Sequence, residues 1–382
     1  MNIYEDQQTV LFVANRSYAL TSSRLLLIKH FLSSGWKVIV ASSSNDIYAE
    51  RLRDLGVIIE PVVFDRGGLS LLNDSRAFIK LVVICRKYRP KLIHLFHVKP
   101  VVLGNAAAFF VPKSKVVNNI EGLGYAFVHG GFTRFLAEFG YSLALSRSEL
   151  TIFLNPDDRE LFLKEKWVSK NKTTMIISTG IDIEDFSPKP EPGMQRETDE
   201  TKVIFMATRL LYQKGVKEFI EAAAEINNPQ IRFQLAGEWE IDHPDAVEKE
   251  VINNAEKKGY IEYVGYVKDM PEKLKEVDIF VLPSYYREGV PRVLLEAAAT
   301  GIPIVTTNMP GCRETVVDGE TGFLIPPQDS SELVKAVLKI IQDRSIERNM
   351  GKRARAYIEN NFDIKKITKT YLKEYNKIGV DI

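Results

Sequence analysis

Two carboxylates and two cations in the second half of the chain have the clearest capacity for chemistry. Glu288 and Glu296 flank Gly289-Val-Pro291, which reads as a glycine turn leading into a helix with Val293, Leu294 and Ala297 on its apolar side. The preceding run, Asp278-Ile-Phe-Val-Leu-Pro-Ser284, is short and apolar, as expected of a parallel strand buried on both faces. Pro291 suits the first helical turn, where a missing N–H costs nothing. A strand, a glycine turn and a helix N-terminus form a natural site for anionic oxygens. Taken alone, the pair reads equally well as a helix-dipole charge at Glu288 and an exposed helical residue at Glu296.

The cations are Arg209 and Lys214, in Thr208-Arg-Leu-Leu-Tyr-Gln-Lys214, just after the apolar strand Val203–Ala207. Ligands of doubly wound sheets bind beyond the carboxyl ends of the strands. Arginine there offers bidentate bonds and lysine a point charge, so the two could clamp a diphosphate. The competing reading is a pair of solvated loop charges.

The elements that must position these residues follow a β-α-β-α rhythm. In the first half, strands are expected at Thr9–Ala14, Val38–Ala41, Val57–Pro61, Lys91–Phe96, Val116-Val117, Leu150–Leu154 and Met175–Ile177, with helices at Arg24–Ser34, Tyr48–Leu55 and Ala77–Tyr88. Asn15–Ser23 reads as a polar loop. Between Ser187 and Thr201 three prolines, a glycine and many charges mark an exposed linker. The rhythm then restarts, with strands at 203–207, 231–236, 261–264, 278–282, 304–305 and 323–325, before a helical tail from 331. This pattern predicts parallel sheets with helices on both faces. A chain of 382 residues is long enough for two such domains. Boundaries are expected at 1–185 for the first, 186–201 for the linker, 202–360 for the second and 361–382 for a terminal helix.

Composition narrows the function. Hydrophobic residues make up 45% and charged residues 26%, the balance of an ordinary soluble protein. The net charge of +1 hides an asymmetry: residues 1–182 carry 23 Lys and Arg against 16 Asp and Glu, or +7, which leaves −6 for the rest. A basic first half points to an anionic partner, a phosphate-bearing ligand or a membrane surface. The two cysteines, Cys85 and Cys312, support neither a disulfide framework nor a zinc site, which fits a cytoplasmic compartment. No signal-peptide pattern opens the sequence, and no apolar run approaches the roughly 18 residues of a spanning helix. No Gly-x-Gly-x-x-Gly follows the first strand of either half, which disfavours a dinucleotide oxidoreductase.

Taken in order, Arg209-x4-Lys214, Glu288-x7-Glu296, Asp278–Ser284, Ala299-Thr-Gly-Ile-Pro-Ile-Val305, Pro310-Gly-Cys-Arg-Glu314 and Asp318-Gly-Glu-Thr-Gly-Phe-Leu324 resemble the retaining glycosyltransferases of the GT-B fold, family 4. The resemblance covers nearly the whole chain. It implies two Rossmann-like, doubly wound domains facing a cleft, with a C-terminal helix crossing back to the first. Carried over, it makes Arg209 and Lys214 the pyrophosphate clamp and Glu296 the ribose carboxylate. Glu288 lies beside the donor sugar, the amides of Gly289 and Val290 contact sugar or phosphate, and Gly265-Tyr266-Val267 line the nucleobase. Such enzymes keep the anomeric configuration through a front-face, oxocarbenium-like transition state, their leaving diphosphate held by fixed cations. The chain holds no Asp-x-Asp, so no divalent metal or other cofactor is expected beyond a UDP-sugar donor.

The first half departs from the family in one loop, Ala14-Asn-Arg-Ser-Tyr18, which lacks the usual glycines; Asn15, Arg16 or Ser17 could contact donor or acceptor instead. His94-Leu-Phe-His-Val-Lys-Pro100 and Asn119-Ile-Glu-Gly-Leu-Gly-Tyr125 resemble a subgroup that builds bacterial surface saccharides on polyprenyl diphosphate. On that basis His97, Lys99, Glu121 and Gly122 are acceptor-side candidates, with a structural role equally open to His94 or His97. Aromatic residues from Leu123 to Leu145, beside Phe109-Phe110 and Lys113/Lys115, read as core or as a grip on a lipid-linked acceptor at the inner face of the cytoplasmic membrane. No nucleic-acid partner is expected. The alternatives to a hexose or N-acetylhexosamine transferase are a GT-B sugar-nucleotide epimerase, which needs no acceptor, and a non-catalytic binding subunit of a polysaccharide assembly.

Overall fold

The structure, a computed structural model, describes residues 8–43, 46–64, 70–122, 138, 140–188, 201–240, 243–287 and 289–382. The chain divides into two units, Met1–Gly180 with Ile364–Ile382, and Ile181–Asp363.

The first unit carries a seven-stranded parallel sheet in the order β3-β2-β1-β4-β5-β6-β7. Its strands are β1 (Thr9–Val13), β2 (Lys37–Ser42), β3 (Ile58–Pro61), β4 (Leu92–Phe96), β5 (Lys115–Ile120), β6 (Leu150–Phe153) and β7 (Thr173–Met175). All five residues of β1 are buried, as a central strand covered on both faces requires. The second unit holds a six-stranded parallel sheet, β10-β9-β8-β11-β12-β13. Here β8 is Lys202–Ala207, β9 Ile231–Ala236, β10 Glu262–Gly265, β11 Ile279–Leu282, β12 Ile304–Thr307 and β13 Gly322–Ile325. Both sheets are doubly wound, each with a point where the strand order reverses: between β1 and β4 in the first, between β8 and β11 in the second.

Three features differ from the expectation. Residues 17–23 form a helix, Ser17–Ser23, followed by Leu25–Ser33 with Arg24 at the break. The helix Val98–Ala108 was hidden by Pro100, Gly104 and apolar residues on every side; Gly104 is small because a β-carbon there would lie 2.5 Å from Leu95. The unit boundary falls between Gly180 and Ile181, because Ile181 and Phe186 are buried in the core of the second unit; residues 189–200 of the expected linker lie outside the described residues.

The final helix, Ile364–Lys377, belongs to the first unit, where Tyr371 and Tyr375 are buried with Phe12, Phe31 and Phe96. Phe362, just before it, is buried in the second unit instead. Of the aromatic stretch from Leu123, residues 123–137 and 139 lie outside the described residues. Tyr141 is core, packed edge-on against Phe162 and stacked with Trp167. Among the described residues no helix is long and apolar enough to cross a membrane.

Candidate active site

In the second unit the order reversal places the loops after β8 and β11 side by side beyond the carboxyl edge of the sheet, where doubly wound folds bind ligands. The two loops are laced together. The Gln213 carbonyl accepts the amides of Tyr285 (2.9 Å) and Tyr286 (3.0 Å) and the Ser284 hydroxyl (3.3 Å). Gly215 makes this approach possible: its φ is +82°, and a β-carbon would lie 2.3 Å from the Pro283 carbonyl oxygen. Lys214, one residue before that glycine, is only 5% exposed, and its Nζ lies 4.8 Å from the Tyr286 ring centroid. The Arg209 guanidinium carbon lies 5.9 Å from the same ring. The structure thus brings the two cations of the sequence motif to one aromatic ring, in a cation–π arrangement. Tyr286 had no signal in the sequence beyond its place after an apolar strand.

Glu296 lies on the helix Arg292–Ala299 with its side chain 12% exposed, so it is not a solvated helical residue. Burial pushes its carboxyl upward from the ordinary range, and the Arg292 guanidinium, whose Nε donates to it at 2.9 Å, pulls it back. Arg292 was missed from the sequence, although its spacing four residues before Glu296 is that of a helical pair. Gly289 and Val290 are half-buried just ahead of this helix. Glu288 lies outside the described residues.

At the ends of β8, β9 and β10 the backbone is drawn together. Thr208 N–H donates to Ala236 and Gly237 N–H to Gly265 (both 3.0 Å), and a β-carbon at Gly237 would fall 1.9 Å from the Thr208 carbonyl oxygen. The loop Gly265-Tyr266-Val267 is therefore tied to the same sheet edge as Arg209, two strands or about 10 Å away. Gly265 takes φ +70°, and Tyr266 stands exposed beyond it.

Residues 9–155 match the family model described as Glycosyl transferase 4-like, and residues 191–357 that of Glycosyl transferases group 1. The chain belongs to the glycosyl transferases. It is 28% identical over 378 residues, 96% of this chain and 98% of the other, to the N,N'-diacetylbacillosaminyl-diphospho-undecaprenol alpha-1,3-N-acetylgalactosaminyltransferase of Campylobacter jejuni. It is 29% identical to the UDP-Gal:alpha-D-GlcNAc-diphosphoundecaprenol alpha-1,3-galactosyltransferase of Escherichia coli, over 78% of either chain. Among solved structures, Anabaena Alr3699/HepE in complex with UDP-glucose superposes with a TM-score of 0.78 at 20% identity, covering 97% of this chain and 100% of that one. Likeness at that identity speaks for the fold, which is GT-B.

The first unit of this glycosyl transferase has its own reversal point, and the remaining candidates gather there. Asn15 and Arg16 follow β1; Arg16 is exposed, and the Asn15 side-chain oxygen is buried without a hydrogen-bond partner. Ser17 departs from expectation: it is fully buried, its hydroxyl engaged by Ser42 Oγ (2.8 Å) and the Ser43 carbonyl (2.6 Å). It anchors its loop to the end of β2 rather than facing a ligand.

His97 follows β4 at φ +70° and ψ 164°, a region populated almost only by glycine and worth roughly 1–3 kcal/mol of strain. Its Nε2 lies 3.3 Å from Glu121, which stands just past β5 beside Gly122 (φ +92°). Lys99 lies two residues on, paired with Asp74 at 2.8 Å.

His94 is separate from this group. It is fully buried between Asn119 Oδ1 (3.0 Å from Nε2) and the Tyr375 hydroxyl (2.6 Å from Nδ1), and burial drives its pKa down to about 3. His94 is thus the neutral structural histidine and His97 the site candidate.

Proposed function

We propose that this enzyme transfers a hexose or N-acetylhexosamine from a UDP-sugar to a saccharide carried on polyprenyl diphosphate, with retention of anomeric configuration and without a divalent metal. The observation that carries the reading is the convergence of Lys214 and Arg209 at the β8/β11 reversal point. Two fixed cations there match the charge that develops on a departing diphosphate, and a partly desolvated lysine stabilises it more than one in water would. The activities for which the Campylobacter and Escherichia relatives are named support the substrate class and the alpha linkages.

In this reading Glu296 accepts the ribose hydroxyls, a role open to an ionised carboxylate with two acceptor oxygens. Gly265–Val267 border the base, and the amides of Gly289 and Val290 meet the distal phosphate or sugar. By resemblance Glu288 lies beside the sugar and steadies positive charge at its anomeric carbon. The bond from that carbon to the diphosphate oxygen breaks, the acceptor hydroxyl oxygen bonds on the same face, and its proton passes to the departing diphosphate. His97, Lys99 and Glu121 serve the acceptor.

A lipid-linked acceptor requires the enzyme to work at a bilayer, on this reading the inner face of the cytoplasmic membrane. One surface of the first unit fits that need. The helix Leu71–Tyr88 leaves Leu72, Ile79 and Val83 exposed along one face, among Arg76, Lys80, Arg86 and Lys87. Phe110 joins it, 4.9 Å from the Arg86 guanidinium, with Phe109 exposed beside it. Apolar residues among several cations suit reversible attachment to anionic lipid. Flotation with vesicles containing phosphatidylglycerol should carry the protein at low salt, and the variant Ile79→Asp/Val83→Asp should stay behind. Failure of the unaltered protein to float even at low salt would remove the membrane from the proposal.

Thermal shift with UDP, GDP and ADP, each with and without EDTA, tests the donor. A nucleotide at ~100 times its dissociation constant should add about 2.7 kcal/mol of stability. UDP is expected to be selective and insensitive to EDTA. A response lost on chelation would overturn metal independence, and silence to every nucleotide would overturn the donor site.

A further inference from the structure

Arg24 is 2% exposed, at the break between two helices that neither the sequence motifs nor the proposed reaction requires to be charged. Its guanidinium carbon lies between two rings, 5.1 Å from Phe96 on β4 and 5.2 Å from Tyr371 on the final helix. One terminal nitrogen donates to the Ser23 carbonyl (3.1 Å) and the other to Glu121 Oε1 (2.6 Å), while Nε is buried with no hydrogen-bond partner. Glu121 in turn offers Oε2 to His97. Asn119 completes the frame, its Nδ2 reaching the Tyr371 hydroxyl at 2.8 Å and Glu121 at 3.4 Å.

A buried ion pair is weak evidence for stability, since well-packed apolar residues of similar volume serve as well or better. This pair sits at the carboxyl edge of a doubly wound sheet, at its reversal point, and ends on a histidine held in a strained backbone conformation. Desolvated charge and backbone strain are therefore concentrated where a ligand is expected.

We propose that Arg24 is a positioning residue for the acceptor side. It fixes the rotamer of Glu121, so that Glu121 and His97 present one rigid pair of polar groups to the acceptor's hydroxyls, with Tyr371 setting the plane of the guanidinium. Arg24 makes and breaks no bond in the reaction. The proposal rests on the reading that the first unit holds the acceptor.

The test compares Arg24→Gln, Arg24→Lys and Glu121→Gln with the double variant Arg24→Gln/Glu121→Gln. Transfer is measured from UDP-galactose and UDP-N-acetylgalactosamine to diphosphoundecaprenol-linked N-acetylglucosamine and diacetylbacillosamine. Arg24→Gln should lower kcat/KM for the acceptor by roughly 10- to 100-fold, leave stabilisation by UDP unchanged, and add nothing to the loss from Glu121→Gln, with Arg24→Lys partly restored. Losses that add independently, or unchanged acceptor kinetics in both Arg24 variants, would overturn it. A readout that needs no acceptor is the imidazole nitrogen spectrum. The His97 signals should move alike in Arg24→Gln and Glu121→Gln and by less in Arg24→Lys, and unmoved His97 signals in a folded Arg24→Gln variant would equally sink the proposal. Loss of UDP binding in the unaltered enzyme would instead count against the donor reading.

Discussion

Alanine at Lys214 is expected to lower kcat by roughly 100- to 1000-fold, a loss of about 2.7–4 kcal/mol, as for removal of one preorganised charge-stabilising donor. The expectation comes from where the ammonium sits. It is nearly buried, placed by a turn that only glycine can make at 215, and lies over Tyr286 on a loop fixed by three hydrogen bonds to the Gln213 carbonyl. Its position is set before substrate arrives, so little reorganisation remains when charge develops on the leaving diphosphate. Arg209 is exposed, and Arg209→Ala should cost less. The deciding measurement is single-turnover transfer at saturating donor. If Lys214→Ala transfers sugar at near the unaltered rate, the cation pair is not the leaving-group clamp.

The second large effect is expected at Glu296. Glu296→Gln should weaken UDP binding by roughly 10- to 150-fold, about 1.5–3 kcal/mol for lost hydrogen bonds to a charged acceptor. Because Glu296 is already held by Arg292, part of the loss will be the guanidinium left without its carboxylate. Calorimetry with two ligands separates the causes. Affinity for UDP should fall while affinity for inorganic pyrophosphate is nearly unchanged, since pyrophosphate has no ribose. Equal losses for both would show that Glu296 acts through the shape of its helix and not on the sugar.

The strands were legible because parallel strands buried on both faces must be largely apolar, as Val10–Ala14 and Ile279–Leu282 are. That Arg209 and Lys214 would lie together was legible because a sheet edge dictates where cations after a strand will lie. Ser17–Ser23 escaped as a helix because four of its seven residues are serine or threonine, and its place depends on bonds from Ser17 to Ser42 and Ser43. Arg24 escaped for a deeper reason. Its partners Phe96, Glu121 and Tyr371 are distant in sequence, and only the topology brings them together. Local spacing reports contacts within an element, such as Arg292 with Glu296; it carries no trace of contacts made across a sheet.

The return of the last helix to the first unit has a consequence for how the protein is made. Val10, Phe12, Phe31 and Phe96 share a buried cluster with Tyr371 and Tyr375, and those tyrosines are added only after the whole of Ile181–Asp363 has been translated. At about 5–20 residues per second, the ribosome adds that stretch in on the order of ten to forty seconds. For that interval the nascent first unit exposes the apolar ground that the helix will cover, while the second unit can close its own core as soon as it is out. The first unit synthesised is the last to be finished, and a transcript cut short after residue 363 would release a second unit with its core complete, joined to an unfinished first one.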